Sequence, residues 1–414
     1  MANGKRIVLQ PTYMKEFKCI GGACEDSCCV GWRVDLDKET YLTYKKIQDE
    51  ELKPLFDKKV NRKHNQKSDE SYGNIKMNRD GRCPFLDENN LCMIQKKLGA
   101  EYLSDTCKFY PRIVNRVDGK YERSATMSCP EVARLALLNK EGIVFEQYEE
   151  EDEENRIKVH SVFDTEGHLY INKPQRYFWE IRLFSLALLQ NRKYTLDERL
   201  ILLGIVYKKL NELKENGNTK DIPQLLEIYN QMIENGDFKE QIEKVPTNLQ
   251  IQMRIAKELV DIRVALGLNN QRYLECLKET LLGLGYVDEF DINEVVNKYN
   301  EGNEKYLKPY LKEKEYILEN YLVNEYFKEL MPFGKFKTMW DSYIFLCLLY
   351  SIVKLHLIGM ANVHQGLKDE NVLKLIQSIS KLILHSNTFI QRIVKIIKDS
   401  NVDSLAYMAI LVKS

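Results

Sequence analysis

Cys19-Ile-Gly-Gly-Ala-Cys24-Glu-Asp-Ser-Cys28-Cys29-Val-Gly-Trp32 is the stretch on which the fold of the N-terminal region turns. It lacks helical periodicity, and its glycines permit the tight turns that bring several sulfurs round one centre. Three further groups follow: Cys83-Pro-Phe-Leu-Asp-Glu-Asn-Asn-Leu-Cys92, Cys107-Lys-Phe-Tyr-Pro-Arg112 and Ser128-Cys129-Pro-Glu-Val-Ala-Arg134. Eight of the ten cysteines thus lie within the first 129 residues, while Cys276 and Cys347 stand alone in apolar helical stretches. Irregular backbone buries too little apolar surface to offset its ordering entropy, so this region needs another constraint. A metal supplies one, because its binding energy is folding energy. A disulfide framework is the alternative, disfavoured where thiols are kept reduced.

Composition narrows the class. Lysine plus arginine and aspartate plus glutamate number 61 each, so the net charge is zero and a general nucleic-acid binder is not expected. The 414 residues suggest two or three domains, and 44% hydrophobic content is ample for a core. The N-terminus has no apolar run of signal-peptide length. The most apolar stretch, 344–353, falls short of the roughly twenty residues a membrane span needs. The expectation is a cytoplasmic protein, with no membrane and no nucleic-acid partner.

The reading divides the chain into 1–145, 146–175 and 176–414. The first part is cysteine-rich, with helical periodicity over 36–56 and 91–103 and otherwise short irregular or β elements. Within it, 57–82 reads as a solvated polar loop with Lys58, Lys59, Arg62, Lys63 and Lys67. The second part opens on Glu-Glu-Glu-Asp-Glu-Glu at 149–154, an acidic linker by its self-repulsion. A β-hairpin is expected over 157–172, about a turn at 164–167. The third is all-helical, making the protein mainly α. Helices are expected at 177–190, 196–213, 222–235, 248–266, 270–283, 310–330, 336–359, 366–385 and 388–398. Thr195 with Glu198, Thr247 with Gln250 and Asp291 with Glu294 have capping-box spacing.

In the cysteine groups, a turn at 87–90 returns Cys92 towards Cys83. Ser128, Pro130 and Glu131 put Cys129 at a helix N-terminus, where the dipole favours its thiolate. Arg112 is a candidate partner for a sulfur or a carboxylate, and Glu131 for Arg134 or the cap. Four thiolates suit a tetrahedral zinc and eight suit two, but no Cys-x2-Cys knuckle occurs. Iron–sulfur clusters take four cysteines at more varied spacing. The radical-type Cys-x3-Cys-x2-Cys triad is missing, since Gly31 stands at its third position. Spacing leaves the metal open. The histidines at 64, 160, 168, 356, 364 and 385 show no ligand spacing. Gly283 and Gly285 read as a helix stop, and no strand-then-glycine nucleotide fingerprint is present.

Gln10-Pro-x-Tyr13, Phe17-x-Cys19, Cys24-Glu-Asp-x-Cys28-Cys29-x-Gly-Trp32, Cys83-Pro-Phe-Leu, Leu91-Cys92-x-Ile, Cys107-x-x-Tyr-Pro-Arg112 and Ser128-Cys129-Pro-Glu131 together resemble the flagellin lysine-N-methylase family, FliB. The middle of this region is also similar to the YkgJ-type metal-chelating cysteine module. The resemblance implies S-adenosylmethionine-dependent methylation of surface lysines on flagellin, with a [4Fe–4S] cluster near the donor. Zinc is the alternative metal. The implied ligands are Cys28, Cys29, Cys83, Cys92 and Cys107 first, then Cys24, Cys19 and Cys129. Polar methyl transfer is favoured over radical chemistry, because a deprotonated lysine is already nucleophilic. Tyr13, Tyr102 and Tyr110 are candidate substrate-site members, with core packing as the other role; catalytic and donor-binding residues are otherwise unassigned. A non-catalytic metal-binding flagellin chaperone and a thiol or cluster redox sensor are the rival readings.

Overall fold

A computed structural model describes residues 5–63, 68–151, 157–268, 270–286, 290–336, 338–384 and 387–413. The strands are β1 (Lys5–Pro11), β2 (Val34–Leu36), β3 (Val60–Arg62), β4 (Gly73–Ile75), β5 (Arg112–Val117), β6 (Lys120–Ala125), β7 (Phe145–Glu151) and β8 (Ser161–Phe163). They form a five-stranded sheet of order β7-β1-β6-β5-β8 and a three-stranded sheet of order β2-β4-β3. Helices make up most of the remainder, so the protein is mainly α as the sequence predicts.

The small sheet and the helices Lys38–Lys46 and Leu52–Lys59 close over a core of their own, with Leu36, Tyr44, Phe56, Ile75 and Phe85 at its centre. The expected polar loop 57–82 therefore contains β3 and β4, paired through residues such as Val60 and Ile75. Lys63 reaches Asp35 at 2.8 Å, whereas His64 and Lys67 lie outside the described residues. The flanking parts of the first segment pack elsewhere. Tyr13, Phe17, Ala125, Met127 and Cys129 belong to the continuous core of the helical body.

Two expectations for 146–175 are corrected. Residues 149–151 end strand β7, with Lys5 opposite Glu151 and Arg6 opposite Glu150. Cations on the neighbouring strands offset the self-repulsion of the acidic run: Lys5 pairs with Glu149, and Arg6 and Arg123 with Glu150. The next acidic residues, 152–154, lie outside the described part. No hairpin forms among the described residues of 157–172. Instead β8 joins β5 in parallel, and the Asp118 carboxylate captures the following turn. It accepts hydrogen bonds from the Thr165 amide (2.7 Å), the Thr165 hydroxyl (2.9 Å) and Trp179 Nε1 (2.7 Å).

Most expected helices are present, including Phe178–Leu189, Leu196–Glu215, Ile222–Asn235, Leu249–Ala265 and Gln271–Leu284. The Thr195–Glu198 capping box forms, but Leu249–Ala265 is capped by Asn248 rather than Thr247. Asp291 caps Ile292–Gly302, a helix not among those expected from the sequence, as Leu405–Val412 is not. The 310–330 segment breaks at Glu315 into Lys308–Lys314 and Tyr316–Lys328. The apolar stretch read as ten residues lies within a 26-residue helix, Met339–His364. By length and composition it could cross a membrane; in this fold its apolar window is wholly buried in protein.

The Tyr316–Lys328 helix is buried from Ile317 onward yet carries polar side chains, and these dock it to the sheet side of the molecule. Asn324 donates to the Ala125 carbonyl (3.1 Å) and accepts from the Tyr13 hydroxyl (2.6 Å). Asn320 donates to the carbonyls of Ala136 and Asn139. Tyr13 is thus a core residue that joins sheet to helix. Where β6 meets Phe178–Leu189, Arg182 and Glu122 form a two-pronged ion pair at 2.9 and 2.8 Å, both side chains almost wholly buried.

His356, buried in the long helix, donates from Nδ1 to the Ile352 carbonyl (2.8 Å) and accepts from the Tyr273 hydroxyl at Nε2 (3.1 Å). Burial lowers its pKa to about 4. Because the unfolded value is about 6.5, stability is complete above that pH and falls as pH drops towards 4, by up to about 3 kcal/mol. His356→Gln, which cannot take up the proton, is expected to melt with a shallower pH dependence between 6.5 and 4. Calorimetric melts across that range check this.

Candidate functional site

The cysteine segment is shaped chiefly by backbone bonds to the second cysteine group. Gly31, at φ +87°, donates its amide to the Gly81 carbonyl (3.1 Å), and the Cys83 amide donates to the Cys29 carbonyl (2.9 Å). The turn at 87–90 forms as expected: Asp87 Oδ1 accepts the amides of Asn89 and Leu91, both at 2.9 Å. A bridge between Leu86 and Cys92 then turns Cys92 back towards Cys83. Cys107 sits in the short helix Asp105–Phe109, and Cys129 is the N-cap of Pro130–Leu137.

Cys28 and Cys29 have their sulfurs 4.0 Å apart. The charge of Cys28 is felt at Cys29, Cys83, Cys92 and Cys107, which also influence one another, so these five thiols share one neighbourhood. Cys24 and Cys129 also feel Cys28, while Cys19, exposed, acts with Cys129 on Arg112. Among the described residues, no three His, Cys, Asp or Glu side chains converge at metal-ligand distance. Burial pushes the Cys83 thiol up to about 11 and that of Cys107 to about 12. Cys28 alone moves down, to about 7, through the hydrogen bond with Cys29 and then the Lys381 ammonium. At Cys129 the amides of the helix N-terminus do favour thiolate, but burial outweighs them and raises the thiol to about 12.

The helical body grips this loop. Lys381 donates to the Asp26 carboxylate and the Ser27 carbonyl, both at 2.9 Å. Gln377 donates to Asp26 (2.7 Å) and to the Ser128 carbonyl (2.9 Å), tying the first and fourth cysteine groups together. Arg272 donates to Gln377 (3.0 Å) and to the Glu25 carbonyl (3.3 Å), and Arg134 pairs with Glu25 at 2.7 Å. Beside the clasp lies a cleft of about 360 Å³. Its wall includes Asp26 and 30–33 from the cysteine loop, and Arg263, Gly267, 270–272, Lys381 and Leu382 from the helices. Four cations and one carboxylate in that lining make it electropositive.

Arg112 stacks over Phe17 at 4.9 Å and lies close enough to Cys19 and Cys129 to feel their charge. Tyr110 is beside the cysteines, bonded to the Ser128 hydroxyl (3.2 Å) and set edge-on to Trp32 (4.8 Å). Tyr102 is at the surface. Cys276 and Cys347 are buried in the helical body. Asp26, Arg263, Arg272, Gln377 and Lys381 escape a sequence reading, because they meet only when segments far apart in the chain fold together.

The helical part that supplies the clasp matches a family model, that of the FliB lysine N-methylase C-terminal domain, over residues 182–411. The chain belongs to the FliB lysine N-methylase family. It is 24% identical to the lysine-N-methylase of Salmonella typhimurium strain LT2 over 66% of this chain and 67% of that protein. The lysine-N-methylase of Salmonella choleraesuis aligns with the same identity and coverage. Flagellar biosynthetic protein FliU of Salmonella muenchen is 36% identical over 31% of this chain and 76% of its own length. No solved structure matches. FliB membership makes this chain a protein-lysine N-methyltransferase. The family match begins after the sheet and the cysteine lobe, yet it includes Arg263, Arg272, Gln377 and Lys381, the residues that hold the loop or line the cleft.

Proposed function

We propose that this FliB-family enzyme transfers methyl groups from S-adenosylmethionine to surface lysines of flagellin, in the cytoplasm, and carries a [4Fe–4S] cluster. The observation that carries the reading is the clasp itself: the family's helical domain grips the cysteine loop beside an electropositive cleft. The names of the relatives, lysine-N-methylase and flagellar biosynthetic protein, support lysine and flagellin as targets.

The chemistry of the donor set fits a cluster, since five thiols share one partly enclosed neighbourhood. Cys28, Cys29, Cys83, Cys92 and Cys107 would supply the ligands, with Cys24, Cys19 and Cys129 around them. When bound, such a group supplies redox capacity and an iron able to take a polar ligand. The transfer itself is a displacement. The lysine nitrogen lone pair forms the new N–C bond in line as the S–C bond breaks, and S-adenosylhomocysteine leaves. The amine must first shed its proton to water, and a cationic rim lowers the pKa of an ammonium beside it. Arg33, Arg263, Arg272 and Lys381 provide that rim.

Protein purified without oxygen is expected to hold roughly four irons and four sulfides per chain. It should add methyl groups to flagellin lysines, read by peptide mass spectrometry. Cys83→Ala should lose iron and methylation together, whereas Cys276→Ala should keep both. A colourless protein with one or two zincs would make the cysteine lobe a structural staple and count against the cluster.

A further inference from the structure

The four cations of the cleft differ in what already occupies them. Arg33 is paired with Asp35 (2.7 Å), and Lys381 with Asp26 (2.9 Å). Arg272 is spent on Gln377 and the Glu25 carbonyl. Arg263 has no carboxylate among the described residues. Its Nη atoms reach only the carbonyls of Gly267 (2.7 Å) and Leu382 (3.4 Å), its guanidinium lies 5.8 Å from the Phe389 ring, and its buried Nε has no hydrogen-bond partner. A guanidinium taken partly out of water without a counter-charge is costly, and a bound anion removes that cost.

A second feature points the same way. The lining includes Asn270, Gln271 and Arg272, the cap and first turn of the 14-residue helix Gln271–Leu284. Helix N-termini favour anions through their amides and dipole. Val30, Gly31 and Trp32 form another part of the wall, next in the chain to Cys28 and Cys29. A volume of about 360 Å³ suits a small molecule rather than a folded stretch of protein substrate. The donor's α-carboxylate gives it a group that these cations can hold, which a lysine side chain lacks.

We infer that this cleft takes the methyl donor, with the donor's α-carboxylate on Arg263 at the first turn of Gln271–Leu284. The inference rests on S-adenosylmethionine being the donor. It gives the donor a seat between the cysteine loop and the helical body. Arg263 is then a binding residue, and Trp32 offers an aromatic face in the wall that can take the sulfonium or the adenine.

Calorimetric titration of anaerobically purified protein tests this with two ligands, S-adenosylhomocysteine and 5′-methylthioadenosine, which lacks the amino-acid end. Arg263→Gln should weaken S-adenosylhomocysteine binding by roughly 10- to 100-fold, the range for a hydrogen-bonded charge. Methylthioadenosine should bind wild type and variant alike. Gln271→Glu, which puts a carboxylate at an exposed position of the same turn, should weaken the first ligand selectively too. Circular dichroism and iron content, unchanged from wild type, exclude a folding defect. Unaltered S-adenosylhomocysteine affinity in both variants would overturn the placement while leaving the donor reading intact. Wild-type protein that binds neither S-adenosylhomocysteine nor S-adenosylmethionine would overturn the donor reading, and the placement with it.

Discussion

Gly283→Ala is expected to cost at least about 3 kcal/mol, at or beyond the upper end of what overpacking usually costs. A Cβ at that position would stand 1.8 Å from the carbonyl oxygen of Gly359, where Gln271–Leu284 crosses Met339–His364. The obstacle is the backbone of a buried helix, so no side chain can swing aside. Relief requires moving two helices apart, and the contact between Gly359 and the Thr280 carbonyl, 2.5 Å from a notional Cβ, is lost with them. Gly217→Ala is the fitting comparison. Its φ is +72° but nothing lies within 4 Å of the added atom, so only backbone strain of about 1 kcal/mol is expected. Apparent melting temperatures of both variants by circular dichroism measure the difference. Equal melting of the two would mean that the helices are not as close as described.

The second large effect is at Arg182. Arg182→Met strands the Glu122 carboxylate inside the protein, and breaking a buried pair in this way costs about 3–5 kcal/mol. Burial already holds the Glu122 pKa above its usual range in spite of the arginine. Without that partner the acid protonates more readily, so the deficit should shrink as pH falls from 7 to 5. The double variant Arg182→Met with Glu122→Gln removes both charges and should recover much of the loss. Chemical denaturation at the two pH values reads out all three proteins. A single variant as stable as wild type at pH 7 would show that solvent or another cation reaches Glu122.

The helical part was legible because its apolar spacing and caps are local signals, as with Thr195 and Glu198. Errors arose where a short-range signal competed with a distant partner. The acidic residues 149–151 read as a linker until Lys5, Arg6 and Arg123 are placed beside them. The 157–172 segment read as a hairpin until Asp118 captures Thr165 and Trp179. Strands of three residues, such as β2 and β4, are too short to show a period. The cysteines marked a candidate site by composition alone, and Asp87 announced the turn that gathers two of them. The cleft could not be announced, since its walls come from residues near 30, 265 and 381.

The grip of Lys381 on Asp26 spans 355 positions of sequence. During synthesis the cysteine loop leaves the ribosome 355 residues ahead of its clamp. At about 5–20 residues per second the interval is roughly 20 to 70 s. Through that time the thiols are displayed on an unfinished chain, open to oxidation. For the proposed cluster, maturation is then a matter of timing, and overproduction, which multiplies unfinished chains, is expected to lower the iron content per chain unless iron supply and anaerobiosis keep pace.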